Sequence, residues 1–141
     1  MRELSKKSPY YLPKDRYLEL KYFVRQYNDY VAQVEYWRVR CSGYRFHDLK
    51  NKLENSDPTY NAALRASYYE DKIQAINDAF RLIGLNPYNL ISLSVRENLS
   101  YEALCARCDN VPWSRREFYN LTRRFFWTLD KVLLTKKEAV I

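Results

Sequence analysis

The segment PWSRREFYNLTRRFF, residues 112–126, holds the side chains of this sequence that are best suited to a chemical role. It contains four arginines and one asparagine among aromatic rings. Arginine can donate two hydrogen bonds to guanine O6 and N7, and asparagine can pair with adenine N6 and N7. These residue types therefore predict recognition of bases and phosphates, and they do not form an acid–base or nucleophilic constellation.

A helical wheel divides this segment into two faces. The apolar face, which we expect to meet the core, holds Phe118, Leu121, Phe125, Leu129 and Val132. The opposite face holds Arg116, Asn120, Arg123 and Trp127. Tyr119 and Arg124 flank that line, where they are placed for phosphate contacts, and Arg115 lies in the first turn. The candidate DNA-binding residues are therefore Arg115, Arg116, Tyr119, Asn120, Arg123 and Arg124.

Two consecutive helices are predicted to position these side chains. Ser114-x-x-Glu117 is a capping box, which predicts that the last helix starts here and runs to about Leu134. Ser100 can cap a short preceding helix that extends to about Cys108, with Tyr101, Leu104, Cys105 and Cys108 facing inward. A turn that contains Pro112 separates the two helices, which is the order of a helix-turn-helix.

Long helices are predicted upstream. A heptad spacing of Tyr17, Leu20, Val24, Tyr27, Val31 and Val34 predicts a first helix from about Lys14 to Cys41. A second heptad series, Ala62, Ala66, Tyr69, Ile73, Ile76, Phe80 and Ile83, predicts a helix over about 59–83 that ends at Gly84. The polar residues 44–58 read as a linker. Asn86-Pro87 predicts the start of a short helix that reaches Glu97.

These elements predict an all-α fold, since two glycines leave little material for tight β-turns. Residues 1–85 would form a long antiparallel helical hairpin for dimerisation or partner binding, and residues 86–141 a helix-turn-helix unit. The heptad series can be buried within one chain or can join two chains. We expect a homodimer. Tyr22 and Tyr30 lie outside the heptad positions, which makes them candidates for an interface with single-stranded nucleic acid or with a protein partner.

The carboxyl-terminal pieces SYEAL and SRREFYNLTRRFFWTLDK, with a proline-containing turn between them, resemble the helix-turn-helix region of phage and prophage late-transcription regulators of the RinA/ArpU type. The amino-terminal SPYYLPKDRYLELKYFVRQY is similar to the opening of small phage proteins that end in such a segment. The resemblance implies a non-enzymatic transcription regulator that binds double-stranded DNA, with RNA polymerase as a further candidate partner. It implies the same six DNA-contact residues at their positions in this sequence.

The charge distribution and the cysteines indicate which partners, metals and cellular locations are compatible with the sequence. The net charge of +7 is concentrated at the two ends of the chain, which suits a polyanionic partner. The rival interpretation is a phage protein-interaction module, an inhibitor or adaptor whose basic last helix meets an acidic protein. Cys105 and Cys108 with Cys41 and His47 could hold zinc, but we expect packing cysteines and no metal or cofactor. Three cysteines and no apolar run of membrane-spanning length predict a cytoplasmic protein without a membrane partner.

Overall fold

The computed structural model describes residues 8–41 and 58–139. Within these two ranges the chain is helical and contains no strand, so the predicted all-α class is confirmed. The helices are α1 (Lys14–Arg25), α2 (Tyr27–Cys41), α3 (Pro58–Leu82), α4 (Leu90–Glu97), α5 (Tyr101–Arg107) and α6 (Arg115–Ala139).

The chain divides into two compact units. The first unit combines the described parts of Met1–Gln26 and Ala75–Ile141, and the second is formed from Tyr27–Gln74. This division differs from the predicted one after residue 85. The reason is that α1 packs against α4 and α6, so the amino-terminal helix belongs to the same unit as the carboxyl-terminal helices.

The core of the first unit is centred on two stacked phenylalanines. Phe80 near the end of α3 and Phe125 in α6 have ring centroids 4.0 Å apart, and both side chains are fully buried. The predicted apolar face of α6 is confirmed for Phe118, Phe125 and Leu129, which are buried, whereas Leu121 and Val132 are half-buried. Phe126 is buried as well, where its ring meets the edge of Tyr17 at 5.2 Å. The buried side of α6 is therefore broader than the sequence indicated.

The predicted first helix is two helices, since Gln26 ends α1 and α2 begins at Tyr27. In α2 the heptad positions Tyr27 and Val34 are buried, but the position between them departs from the heptad. Tyr30 is 5% exposed, whereas the heptad residue Val31 is 36% exposed. The prediction that Tyr30 is an exposed interface residue is therefore wrong, while Tyr22 is indeed exposed.

Most heptad positions are buried within one chain. Leu20, Val24, Tyr27 and Val34 are buried in the first series, and Ala62, Ala66, Ile76 and Phe80 in the second. These residues are not accessible to a second copy of the chain. The homodimer thus stays a prediction. It no longer rests on the heptad series, but only on exposed aromatic residues such as Tyr22.

The end of α3 agrees with its predicted position within one residue. Gly84 has a φ of +78°, and the Leu85 N–H donates to the carbonyl of Phe80 at 2.9 Å. This is the hydrogen-bond pattern in which a left-handed glycine terminates a helix. The next helix begins later than predicted, at Leu90. The reason is that Asn86 closes a turn by accepting from the Tyr88 N–H, and Asn89 takes the role of helix cap.

In the second unit, α2 and the first part of α3 lie side by side. Tyr30 lies against Tyr69 with ring centroids 6.2 Å apart, and the Arg65 guanidinium lies 4.7 Å from the centre of the Trp37 ring. The position on α2 rises from 30 to 37 as the position on α3 falls from 69 to 65, so the two helices run antiparallel. The segment that links them, residues 42–57, is outside the described residues.

We expect Tyr30 to ionise at a higher pH than exposed tyrosines. Burial raises the pKa of Tyr30 from 10.0 to about 12, with smaller contributions from Tyr68, Asp29 and Tyr69. The folded chain therefore retains this proton where an unfolded chain loses it. The corresponding stabilisation is complete below about pH 10 and is lost as the pH rises towards about 12. Tyrosinate absorbance of the wild type minus that of Tyr30→Phe should titrate near the upper value, and a difference centred at the ordinary tyrosine pKa would contradict this.

Candidate nucleic-acid interface

The two helices that carry the candidate site are capped as predicted. Ser100 Oγ accepts a hydrogen bond from the Ala103 N–H at 3.1 Å at the start of α5. Ser114 Oγ accepts from the Glu117 N–H at 3.2 Å at the start of α6. Each cap satisfies a backbone donor that a helix start leaves unpaired, and so each defines where its helix begins. At its other end α6 continues five residues beyond the predicted Leu134, to Ala139.

Tyr101 fixes the turn between α5 and α6. Its hydroxyl donates to the carbonyl of Trp113 at 2.7 Å, one residue before the cap of α6. Its ring packs on Phe118 with centroids 5.4 Å apart. Leu104, three residues later in α5, is fully buried. Asn110 takes a left-handed conformation within the turn, with a φ of 59°. The first turns of α6 are consequently held by both a hydrogen bond and aromatic packing.

The exposed side of the first turns of α6 carries Arg116, Asn120 and Arg124. They are spaced four residues apart, so neighbouring members lie about 6 Å apart along the helix axis. Within the described residues neither arginine forms an ion pair. We call these three residues the α6 strip.

Arg115 and Glu117 modify the charge beside the strip. Arg115 pairs with Glu102 of α5 at 2.5 Å, and both side chains are largely solvated. Glu117 is exposed in the first turn of α6. A carboxylate is favourable at a helix amino terminus but repels phosphate. The local charge of the site is therefore lower than its arginine content suggests.

The predicted line of outward residues is exposed only as far as Asn120. Arg123 is half-buried, and its Nε is buried without a hydrogen-bond partner among the described residues. It lies near Tyr17, whose pKa is raised by burial and is partly lowered again by the charge of Arg123. Trp127 is also half-buried and meets the edge of the Tyr10 ring with centroids 5.7 Å apart.

The cause of this partial burial is the amino-terminal segment. Arg16 of α1 donates to Asp130 of α6 at 2.6 Å, and Asp130 is only 8% exposed. This ion pair joins residues 114 positions apart in the chain. The helical wheel of α6 places Asp130 on the polar side, but it contains no information about a second helix that covers that side.

Tyr119 is tied to α5. Its hydroxyl accepts a hydrogen bond of 3.4 Å from the backbone N–H of Tyr101, and its side chain is half-buried. The sequence placed Tyr119 as a flanking phosphate contact. That role remains a prediction, and the geometry adds a structural role in holding α5 against α6.

A basic groove that the sequence pattern does not indicate lies beside the second half of α6. The open groove has a volume of about 870 Å³, and its lining includes Arg81, Arg124, Trp127, Lys131 and Lys136. Asp78 within it pairs with Arg81 at 3.5 Å and with Lys136 at 3.7 Å. The spacing of Asn120, Arg124, Trp127 and Lys131 is four, three and four residues. Continuing the wheel by one step would therefore have identified Lys131.

The cysteines are not packed as predicted. Cys105 is exposed on α5, so its predicted inward position is wrong, whereas Cys41 and Cys108 are half-buried. All three are free thiols. In the described parts of the chain, no three histidine, cysteine, aspartate or glutamate side chains converge in a way that could hold a metal ion. His47 lies outside those parts.

Comparison with protein families, with curated proteins and with solved structures found no match to this chain. Among the described helices, none is long and apolar enough to cross a membrane.

Proposed function

We propose that this protein is a DNA-binding transcription regulator whose helix α6 enters the major groove of duplex DNA. The observation that supports this most directly is the α6 strip, which presents two arginines and an asparagine at the capped start of a rigidly held helix. Residues in the first turns of a recognition helix are those that reach base edges. A short capped helix and a turn precede it, as in helix-turn-helix proteins.

The six candidate residues would divide the work by position. Arg116 and Asn120 are placed to hydrogen-bond guanine and adenine edges. Arg115 and Arg124 would contact phosphates, which adds affinity but little sequence information. Tyr119 and Arg123 are half-buried, so we assign them mainly to positioning the helix. RNA polymerase is a candidate second partner, as the resemblance to phage late-transcription regulators implies.

We expect Arg124→Ala to weaken binding to specific and random duplexes about equally. Loss of one phosphate contact should reduce the slope of log affinity against log salt concentration by about one unit. Fluorescence anisotropy across a salt series measures this slope. Arg25→Ala removes an exposed arginine from α1 and serves as the charge-matched control. An equal change of slope in both variants would indicate a general charge effect and would contradict a specific contact by Arg124.

A wider test of the proposal is selection of bound sequences from a random duplex pool. A sequence-specific regulator should enrich a site and should bind random duplex with an affinity that falls steeply with salt. Enrichment of a common site would support direct base recognition. If the wild-type chain does not bind any duplex at low salt, the proposal fails.

The basic groove favours a second candidate function, a protein-interaction module with an acidic partner. Its cations, Arg81, Arg124, Lys131 and Lys136, surround apolar lining residues, a composition that fits an acidic and partly apolar protein segment. Arg124 belongs to both the groove and the α6 strip. The two candidates are distinguished by Lys131→Glu, which should abolish binding of an acidic protein while leaving base recognition by Asn120 in place.

A further inference from the structure

One side of the second unit carries two exposed tyrosine rings and a half-buried tryptophan ring, interleaved with cations. It is formed by Tyr36, Trp37 and Arg40 of α2 and by Arg65, Tyr68 and Lys72 of α3. We call these six residues the aromatic–basic face. All of them lie within Tyr27–Gln74, and none is among the residues proposed to contact duplex DNA.

The contributions of the two helices adjoin. Tyr36 and Arg40 are four residues apart, as are Tyr68 and Lys72, so each pair occupies one side of its helix. Arg65 bridges the two helices by lying over the Trp37 ring at 4.7 Å. The ion pair between Arg38 and Glu70 joins the same helices from positions that fall on the other side of each wheel. This ion pair between α2 and α3 therefore lies away from the face.

Rings and cations are in direct contact across the face. The Arg40 guanidinium lies 3.2 Å from the centre of the Tyr36 ring, and Lys72 Nζ lies 4.5 Å from that of Tyr68. The Tyr36 and Trp37 rings meet edge to face with centroids 4.9 Å apart. Tyr36 is 47% and Tyr68 57% exposed. Large rings so exposed gain little from burial, so packing within the unit does not account for them.

We propose that the aromatic–basic face binds single-stranded nucleic acid. Unpaired bases can stack on exposed aromatic rings and on arginine planes, while neighbouring cations neutralise the phosphates. The face offers three cations, Arg40, Arg65 and Lys72, next to rings that a base can reach. The residues four positions before Tyr36 and before Tyr68 on their helices, Ala32 and Leu64, carry no charge. Paired bases in a duplex cannot stack in this way, so the ligand differs from that proposed for α6.

The test measures binding of four labelled probes of equal length by the full chain: oligothymidylate, oligouridylate, an abasic phosphodiester and a duplex. We expect both base-bearing single strands to bind and the abasic strand to bind at least about 10-fold more weakly, because stacking is absent. The ratio between oligothymidylate and oligouridylate shows whether DNA or RNA is preferred. Quenching of fluorescence on binding should decrease in Trp37→Phe, since this ring lies within the face.

Matched variants separate the face from general charge. Tyr36→Ala and Tyr68→Ala should each weaken oligothymidylate binding by about 10-fold, whereas Tyr88→Ala, which removes a 71% exposed tyrosine outside the face, should have no effect. Arg40→Ala should weaken it more than Arg38→Ala, which removes the same charge. Circular dichroism melting confirms that each variant is folded. All five substituted tyrosine and arginine residues are exposed, so folding is expected to survive.

Three results would overturn this proposal: no binding of any single strand, equal affinity for the abasic and base-bearing strands, or wild-type affinity in both Tyr36→Ala and Tyr68→Ala. The first would leave the face to a protein partner or to solvent. None of them depends on duplex binding by α6. Conversely, Asn120→Ala should leave oligothymidylate binding unchanged, so failure of the α6 proposal and failure of this one are distinguishable.

Discussion

Phe125→Ala is expected to lower the free energy of unfolding by about 3–5 kcal/mol, as for other buried phenylalanines cut back to alanine. The side chain is fully buried and stacks on Phe80 with centroids 4.0 Å apart. Its removal would leave a cavity where α6 meets the end of α3, and the loss includes both the buried apolar area and the contacts around the cavity. Urea denaturation followed by circular dichroism measures the change.

Two comparisons make this prediction specific. Leu134 lies on the same helix and is 44% exposed, so Leu134→Ala should lower the free energy of unfolding by less than about 1 kcal/mol. Phe125→Leu retains most of the apolar volume and should cost less than Phe125→Ala. At a temperature where the variant is folded, its duplex affinity should equal that of the wild type. A small cost for Phe125→Ala would mean that α6 is not anchored through this ring.

Features set by neighbouring residues could be predicted from the sequence. The caps at Ser100 and Ser114 each need only a backbone N–H three residues away, so the local pattern is sufficient. Gly84 could be assigned for the same reason, because the left-handed position follows directly from where the apolar series stops. The apolar face of α6 was recovered because it is regular over several turns.

Features set by residues that are distant in the chain could not be predicted from the sequence. Nothing local to Asp130 indicates that it is buried, because its partner Arg16 lies on α1. The same packing covers Arg123 and Trp127, which a wheel of α6 alone leaves exposed. The interruption at Gln26 has no proline or glycine to indicate it, and it changes the register so that Tyr30 is buried instead of Val31. The location of the candidate site could thus be predicted, but its extent could not.

The line of exposed residues on α6 is shorter than the sequence predicts, which limits the contacts that α6 could make with DNA. Because Arg123 and Trp127 are half-buried, the proposed contact with base edges would be confined to about the first two turns of α6. Arg124 lies further along, beside Lys131 and the basic groove, which suits a phosphate contact better than a base contact. Sequence preference should therefore arise mainly from Arg116 and Asn120, and affinity from the surrounding cations.

This division of roles leads to the most direct test of the proposed function. Asn120→Ala should lose about 1–3 kcal/mol of binding free energy on the preferred duplex and much less on random duplex, because the proposed bidentate contact to adenine would be removed. Arg116→Ala should behave similarly at a guanine position. The measurement is the affinity of each folded variant for the selected site, for single-base variants of that site and for random duplex.

An exposed asparagine outside α6 provides the control for Asn120→Ala. Asn28→Ala replaces an exposed asparagine of α2 and should leave every duplex affinity unchanged. We also expect Asn120→Ala to lose discrimination at the base pair that Asn120 is proposed to contact. Duplexes that differ only at this base pair should bind the variant with equal affinity. If Asn120→Ala and Arg116→Ala both retain wild-type affinity and specificity while Arg124→Ala alone weakens binding, α6 contacts only phosphates. The first turns of the helix would then face solvent or a protein, because neither of their exposed base-contact candidates would contribute to recognition.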